Sequence, residues 1–265
     1  MRFLFFSILL LSTHALFAQT PVLFDGGTVN GVTFAAGQPI APGSIASIFG
    51  NSLASSLAQA DSVPLSTQME DVSVTMNGIA TPLFFVSPGQ INVQVPWNVL
   101  SGDAETGTAT VVVTRGNSSS APQSVQIAPV APAVYTLGSD GVGNAVAVNP
   151  DGTIAAPAGL IPGVTSRPVH AGEALVILAT GLGAVSPLPA NGANSADLIR
   201  QTTRTPTILI GGQNAQLLFS GLSPSFTGVN QINAVVPDGV KGDAVPIQVQ
   251  FGDIITSDHV TIAVQ

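Results

Sequence analysis

Nucleophilic catalysis needs a hydroxyl or thiol, a base to take its proton, and an acid to orient that base. The 265-residue chain supplies few of these parts. It contains no cysteine and three histidines. His14 falls in an apolar N-terminal stretch, which leaves His170 and His259. No Gly-x-Ser-x-Gly elbow occurs, and Gly138-Ser139-Asp140-Gly141 lacks its spacing. His170 stands before an Ala171-Gly172 corner and reads as a loop residue. Paired carboxylates would serve glycoside hydrolysis, and the glutamates are Glu70, Glu105 and Glu173. The loops that carry them look too short to build a cleft.

Calcium favours loops dense in oxygen ligands. The best groupings are Asp103-Ala104-Glu105 and Asp238 with Asp243. Both fall short of an Asp-x-Asp-x-Asp-Gly pattern and read more simply as turns. No catalytic residue, metal ligand or cofactor is expected. Glycan recognition favours exposed aromatic platforms, and the chain has one Trp (Trp97) and one Tyr (Tyr135). Trp97 follows the strand-ending Pro96 and is the single candidate ligand contact. Its competing role is packing between domains, where a large ring gains most from burial. Gln90 and Asn92 recur as Gln231 and Asn233. They form either a polar stripe for a partner or side chains that bond the neighbouring loop backbone.

The bulk properties narrow the partners. The net charge is −8, with six Lys plus Arg in all, so no basic stripe exists to displace counterions from nucleic acid or to dock on anionic lipid. Charged residues make up 8% while Gly (28) and Pro (20) are abundant; with 45% hydrophobic residues, this turn-rich chain reads as β rather than disordered or helical. The N-terminus runs Met1-Arg2, an apolar stretch over residues 3–11, then Leu16-Phe17-Ala18-Gln19. That order of charge, apolar run and small residue predicts a signal peptide over 1–18. The run is too short to span a bilayer, and no later stretch is long and apolar enough.

Strands are expected wherever the pattern alternates. Residues 71–77 and 91–95 do so, and 109–114 is an apolar run closed by Arg115-Gly116-Asn117. Further strands are expected at 207–210, 215–219, 232–236, 245–250 and 260–264. An internal repeat organises them. Residues 42–49 match 171–178 at a spacing of 129, as Ser52-Leu53 matches Gly181-Leu182. Asn77-Gly78 matches Gly211-Gly212 at 134, and Gln90-Ile91-Asn92 matches Gln231-Ile232-Asn233 at 141. The spacing grows by loop insertion; five extra residues lie between Pro224 and Gln231 relative to Pro88 and Gln90. Between the repeats, residues 143–154 read as a hairpin around Asn149-Pro150-Asp151-Gly152. The predicted division is a signal peptide (1–18), one domain over 19–131, and a junction hairpin with a second domain over 132–265.

Each repeat resembles the IPT/TIG group of immunoglobulin-like domains. Longer motifs, including Val29-Asn30-Gly31-Val32-Thr33-Phe34, Ile48-Phe49-Gly50-Asn51-Ser52-Leu53, residues 82–92, and Ala179-Thr180-Gly181-Leu182-Gly183, resemble the uncharacterised C-terminal domain family named after Solibacter, found in secreted bacterial proteins. That resemblance implies an all-β fold of two tandem immunoglobulin-like sandwiches and an exported bacterial chain. It brings no catalytic residues with it. The expected function is a non-catalytic binding, adhesion or spacer module at the cell surface, in the periplasm or outside the cell, with a protein or glycan partner. The alternative is a secreted hydrolase of polysaccharide or peptide with residues scattered over loops.

Overall fold

Alternation along a strand sends every second side chain to one face, and here it builds two apolar cores. The computed structural model describes residues 19–102 and 104–265, so the predicted signal peptide lies outside the described residues. Buried apolar side chains fall into two clusters, one drawn from Leu23 to Ile127 and the other from Val134 to Val264. Each cluster is the filling of one lobe.

The first lobe has seven main strands: β1 (Val22–Asn30), β2 (Ile45–Asn51), β3 (Val72–Met76), β4 (Leu83–Val86), β5 (Gln90–Gln94), β6 (Gly107–Arg115) and β7 (Gln123–Ile127). One sheet orders them β1-β2-β5-β4, and the other places β3 and β7 on either side of β6. With A to G assigned in chain order, this is the ABED and CFG arrangement of an immunoglobulin-like sandwich.

The second lobe repeats it with β8 (Ala147–Val148), β9 (Ala174–Thr180), β10 (Thr207–Ile210), β11 (Gln213–Leu222), β12 (Asn230–Val235), β13 (Gly242–Phe251) and β14 (Val260–Val264). The registers coincide at the spacings read from the sequence. Ile48 faces Ile91 across β2 and β5, and Ile177 faces Ile232 across β9 and β12. Even the bulges recur, between Leu83 and Phe85 in β4 and between Leu217 and Phe219 in β11. Asn77-Gly78 and Gly211-Gly212 both hold positive φ at two successive residues, the conformation a tight two-residue hairpin needs.

Two differences matter. In the first lobe Pro82, which has no N–H to donate, separates Ile79–Ala80 from β4. The second lobe has Gln216 there, so β11 continues unbroken, pairing β10 with its first half and β12 with its second. The predicted hairpin also has a narrower paired part than residues 143–154. Val148 pairs with Ile154 around the Asn149 turn, where Asn149 N donates to Thr153 O at 2.8 Å. Gly143–Asn144 instead pairs in parallel with β14.

Candidate binding site at the junction of the two cores

The acids and bases singled out in the sequence do not converge. The His170 ring meets Gln265 at 3.2 Å, while its backbone N–H donates to Glu173 Oε2 at 2.8 Å. The His259 ring lies 3.7 Å from Asp258, both exposed. Glu173 binds Arg167 through two oxygens at 2.9 and 3.0 Å. The Arg167 guanidinium, helped by the His170 N–H, holds the Glu173 carboxyl below its ordinary range. Asp197 is drawn down to about 2 by Arg200, and Asp71 is lowered by the Ser55 hydroxyl and by Arg115. Asp151 is lowered by Thr153 and Arg167. A glycosidase acid needs the opposite displacement.

The calcium groupings fare similarly. Glu105 is held by Arg204 at 2.7 Å across the two lobes, and Asp103 lies outside the described residues. No cluster of three metal-ligating side chains forms among the described residues. The repeated polar pairs bond side chain to side chain rather than to a neighbouring loop backbone, and they stay partly exposed on their strands. Gln90 Nε2 donates to Asn92 Oδ1 at 2.8 Å, and Gln231 Nε2 to Asn233 Oδ1 at 2.9 Å. The two members of each pair meet because residues i and i+2 share a face, and Asn92 Oδ1 accepts a second bond from Ser47 Oγ on β2 at 2.9 Å.

Trp97 sits half-buried at the end of β5. Its six-membered ring covers Gly43; a Cβ built there would lie 2.1 Å from the ring. Gly43 N donates to Val95 O and Val95 N to Ser44 O, which places the glycine beneath the indole. The Trp97 backbone N–H crosses to the second lobe and donates to Asn191 Oδ1 at 2.8 Å, while Asn191 Nδ2 donates to Asn98 Oδ1. Its indole N–H is out of water with no partner among the described residues.

Asn191 belongs to a second-lobe loop that wedges into the first lobe. Gly192 N donates to the fully buried Gln94 Oε1 at 2.6 Å, and Leu65 N donates to Gly192 O at 2.8 Å. Ile45 N donates to Thr180 Oγ1, whose hydroxyl donates to Gly228 O. A net contribution of about 1 kcal/mol from each such bond holds the lobes in one relation. Gln94, Thr180 and Asn191 were not singled out from the sequence. The signal for Gln94 was present, because the second repeat has Val235 at that position.

Beside this wedge lies a cleft of about 560 Å³, within the size range of ligand sites. Residues 59–63 and Leu65 form much of its first-lobe wall and residues 225–227 with Val229 much of the other, with Phe84, Tyr135 and Phe226 among its lining. Phe226 and Val63 are more than half and about half exposed. The Tyr135 hydroxyl faces Thr180 without a hydrogen bond of good geometry, and burial pushes this phenol well above its ordinary range despite Thr180. The expectation that the loops build no cleft is therefore overturned: the loops are short, but two lobes set edge to edge enclose what one does not. A second cleft of about 570 Å³ opens elsewhere on the junction, with Asn30, Asp140, Val142 and Ile254 among its lining.

No protein-family model matches the chain, and no curated protein matches it. Solved structures resemble it at low identity. A Bacteroides ovatus protein, the mixed-linkage glucan utilization locus SGBP-B in complex with a mixed-linkage heptasaccharide, shares 13% identity over 94% of this chain and 46% of its own, with a TM-score of 0.38. The chain thus spans less than half of that protein. Domains 5–6 of the S-layer protein SbsC share 14% identity over 92% of this chain and 98% of theirs, TM-score 0.27. The I9–I11 tandem of titin shares 9% over 93% and 66%, TM-score 0.23.

Proposed function

We propose that the chain is a non-catalytic binding or adhesion module of two immunoglobulin-like domains, residues 19–131 and 132–265, exported by a bacterium to its surface or surroundings and related to the Solibacter-type family. Its partner is a protein or a glycan. The observation that carries this reading is the junction: backbone N–H groups of one lobe donate to Gln94, Thr180 and Asn191 of the other, the bond to Gln94 fully buried, and hold two lobes together around an open cleft. Meanwhile Asp71, Asp151, Glu173 and Asp197 are paired with arginines, which suits a stable scaffold and disarms them as proton donors. The signal-peptide order of residues 1–18 supports export, and no helix among the described residues is long and apolar enough to cross a membrane.

The test uses the chain from Gln19 onward, immobilised and exposed to polysaccharide and protein fractions of the producing cell's envelope and medium. Saturable retention of one fraction, with its molecules unchanged in length after prolonged incubation, is the expected result. Progressive shortening of a retained polymer would favour a hydrolase instead. Separately, a fragment over 132–265 is expected to melt cooperatively with a β-type circular dichroism spectrum.

A further inference from the structure

The place where the repeat breaks is the place where the cleft is made. The five extra residues between Pro224 and Gln231 supply Phe226, Thr227 and Gly228 to the junction. Thr227 Oγ1 donates to Gly192 O, and Gly228, at positive φ, lies so close to Ile45 that a Cβ would stand 3.0 Å from its Cγ1. The segment is thereby anchored at Thr227 and Gly228, while Phe226 stays more than half exposed. Phe226 shares the cleft lining with the half-exposed Val63 and with Phe84, so the apolar surface here is a patch within a concavity rather than a single exposed ring.

The chemistry of the covering partner follows from the lining. Phe84, Tyr135 and Phe226 present aromatic surface, and the one aromatic pair among the described residues, Phe34 with Phe49, lies elsewhere. Gln59, Ser62 and Ser225 add uncharged donors and acceptors at the exposed rim. The only charge in the lining is Asp61, and no basic residue is present. Phosphate, sulfate and uronate groups therefore meet repulsion and no counter-charge. A sugar ring offers an apolar C–H face to an aromatic ring and hydroxyls to amides and serines. Resting on the module reading above, we propose that this cleft binds an uncharged oligosaccharide, stacked on Phe226 and Phe84 and hydrogen-bonded along the Gln59 to Ser62 rim.

The test titrates the chain from Gln19 onward with neutral hexasaccharides (β- and α-linked glucan, xylan and chitin fragments) and with a hexagalacturonate as the anionic control. Calorimetry is expected to show binding to a neutral member and none to the hexagalacturonate. Phe226→Ala and Phe84→Ala should each weaken it by on the order of tenfold, the loss of one stacked ring. Phe226→Trp should retain it, and Ile254→Ala in the other cleft should leave it unchanged. Phe226→Ala should also keep the parent melting temperature, since the ring is largely exposed. Undiminished binding by Phe226→Ala would place the site elsewhere and overturn the proposal while leaving the module reading intact. So would failure of every neutral hexasaccharide alongside retention of a protein or peptide fraction. Shortening of the bound sugar would instead overturn the module reading itself.

Discussion

Gly43 and Gly172 occupy the same position in the two lobes and have nearly the same backbone, with φ of 76° and 82°. Each donates its N–H to the residue ending the facing strand pair, Val95 and Val236. They differ in what lies above them. A Cβ on Gly172 meets nothing within 4 Å, whereas one on Gly43 meets the Trp97 ring at 2.1 to 2.4 Å. Gly172→Ala therefore costs only the left-handed conformation, about 1–2 kcal/mol. Gly43→Ala costs the same plus displacement of the indole, about 1–3 kcal/mol more by analogy with overpacked cores. Trp97→Ala alone should cost about 2–3 kcal/mol, below the range for a fully buried ring because this one is half-buried.

The decisive comparison is the double variant. With the indole gone, the three atoms nearest the added methyl at position 43 are gone as well, and Gly43→Ala should then cost close to what Gly172→Ala costs. Urea denaturation followed by far-ultraviolet circular dichroism reads the four proteins of the cycle and Gly172→Ala without relying on the tryptophan. The coupling energy of the cycle should be about 1–3 kcal/mol in the direction of mutual relief. Additive losses within about 0.5 kcal/mol, or equal costs at positions 43 and 172 with Trp97 present, would show that the ring does not rest on Gly43.

Three further outcomes are expected. Ile232→Asp and Val93→Asp place a charge in sites with no exposure at all, so each should cost several kcal/mol in the same denaturation assay; a loss under about 0.5 kcal/mol would place the side chain on the wrong face. Asp197, drawn down to about 2 by Arg200, contributes stability that is present above its ordinary value near 4 and lost as pH falls through about 2. The melting temperature of Asp197→Asn should therefore fall less than the parent's between pH 4 and 2, and parallel curves would refute the pairing. Intact-mass measurement of exported protein should give a chain beginning at Gln19, and a mass that retains residues 1–18 would refute export by signal cleavage.

The fold was legible because duplication left two independent statements of one pattern. Ile91 and Ile232 alternate with polar neighbours in the same way, and β5 and β12 lie where that alternation puts them. Strands with weaker alternation were harder to see. β1 runs through Asp25-Gly26-Gly27 and pairs with β2 across an irregularity between Leu23 and Thr28. β7 mixes Gln and Ser with Val125 and Ile127. The site was legible only in its departures from the repeat. Trp97 against Asp238, Gln94 against Val235, and the segment around Phe226 all stand where one copy lacks what the other has, and all three meet at the junction. Which of them touch one another is a matter of how the lobes are set side by side, and that depends on long-range contacts such as Gln94 with Gly192, which no local pattern records.

The unbroken β11 also bears on how each half opens to solvent. In the first lobe the regular ladder breaks at Pro82, and the two sheets are joined there only by Thr81 N donating to Val74 O and Gln94 N donating to Pro82 O, so one sheet loosens with little loss of the other's bonds. In the second, the ladder passes from β14 through β13, β10, β11 and β12 to β9 without interruption. Separating those sheets means tearing β11 from a neighbour. The slowest amide protons of the second lobe should therefore exchange together, in one cooperative opening, while those of β5 and β6 in the first report two distinct opening free energies. The break at Pro82 thus marks the difference between a sandwich hinged at two bonds and a sandwich stitched along a whole strand.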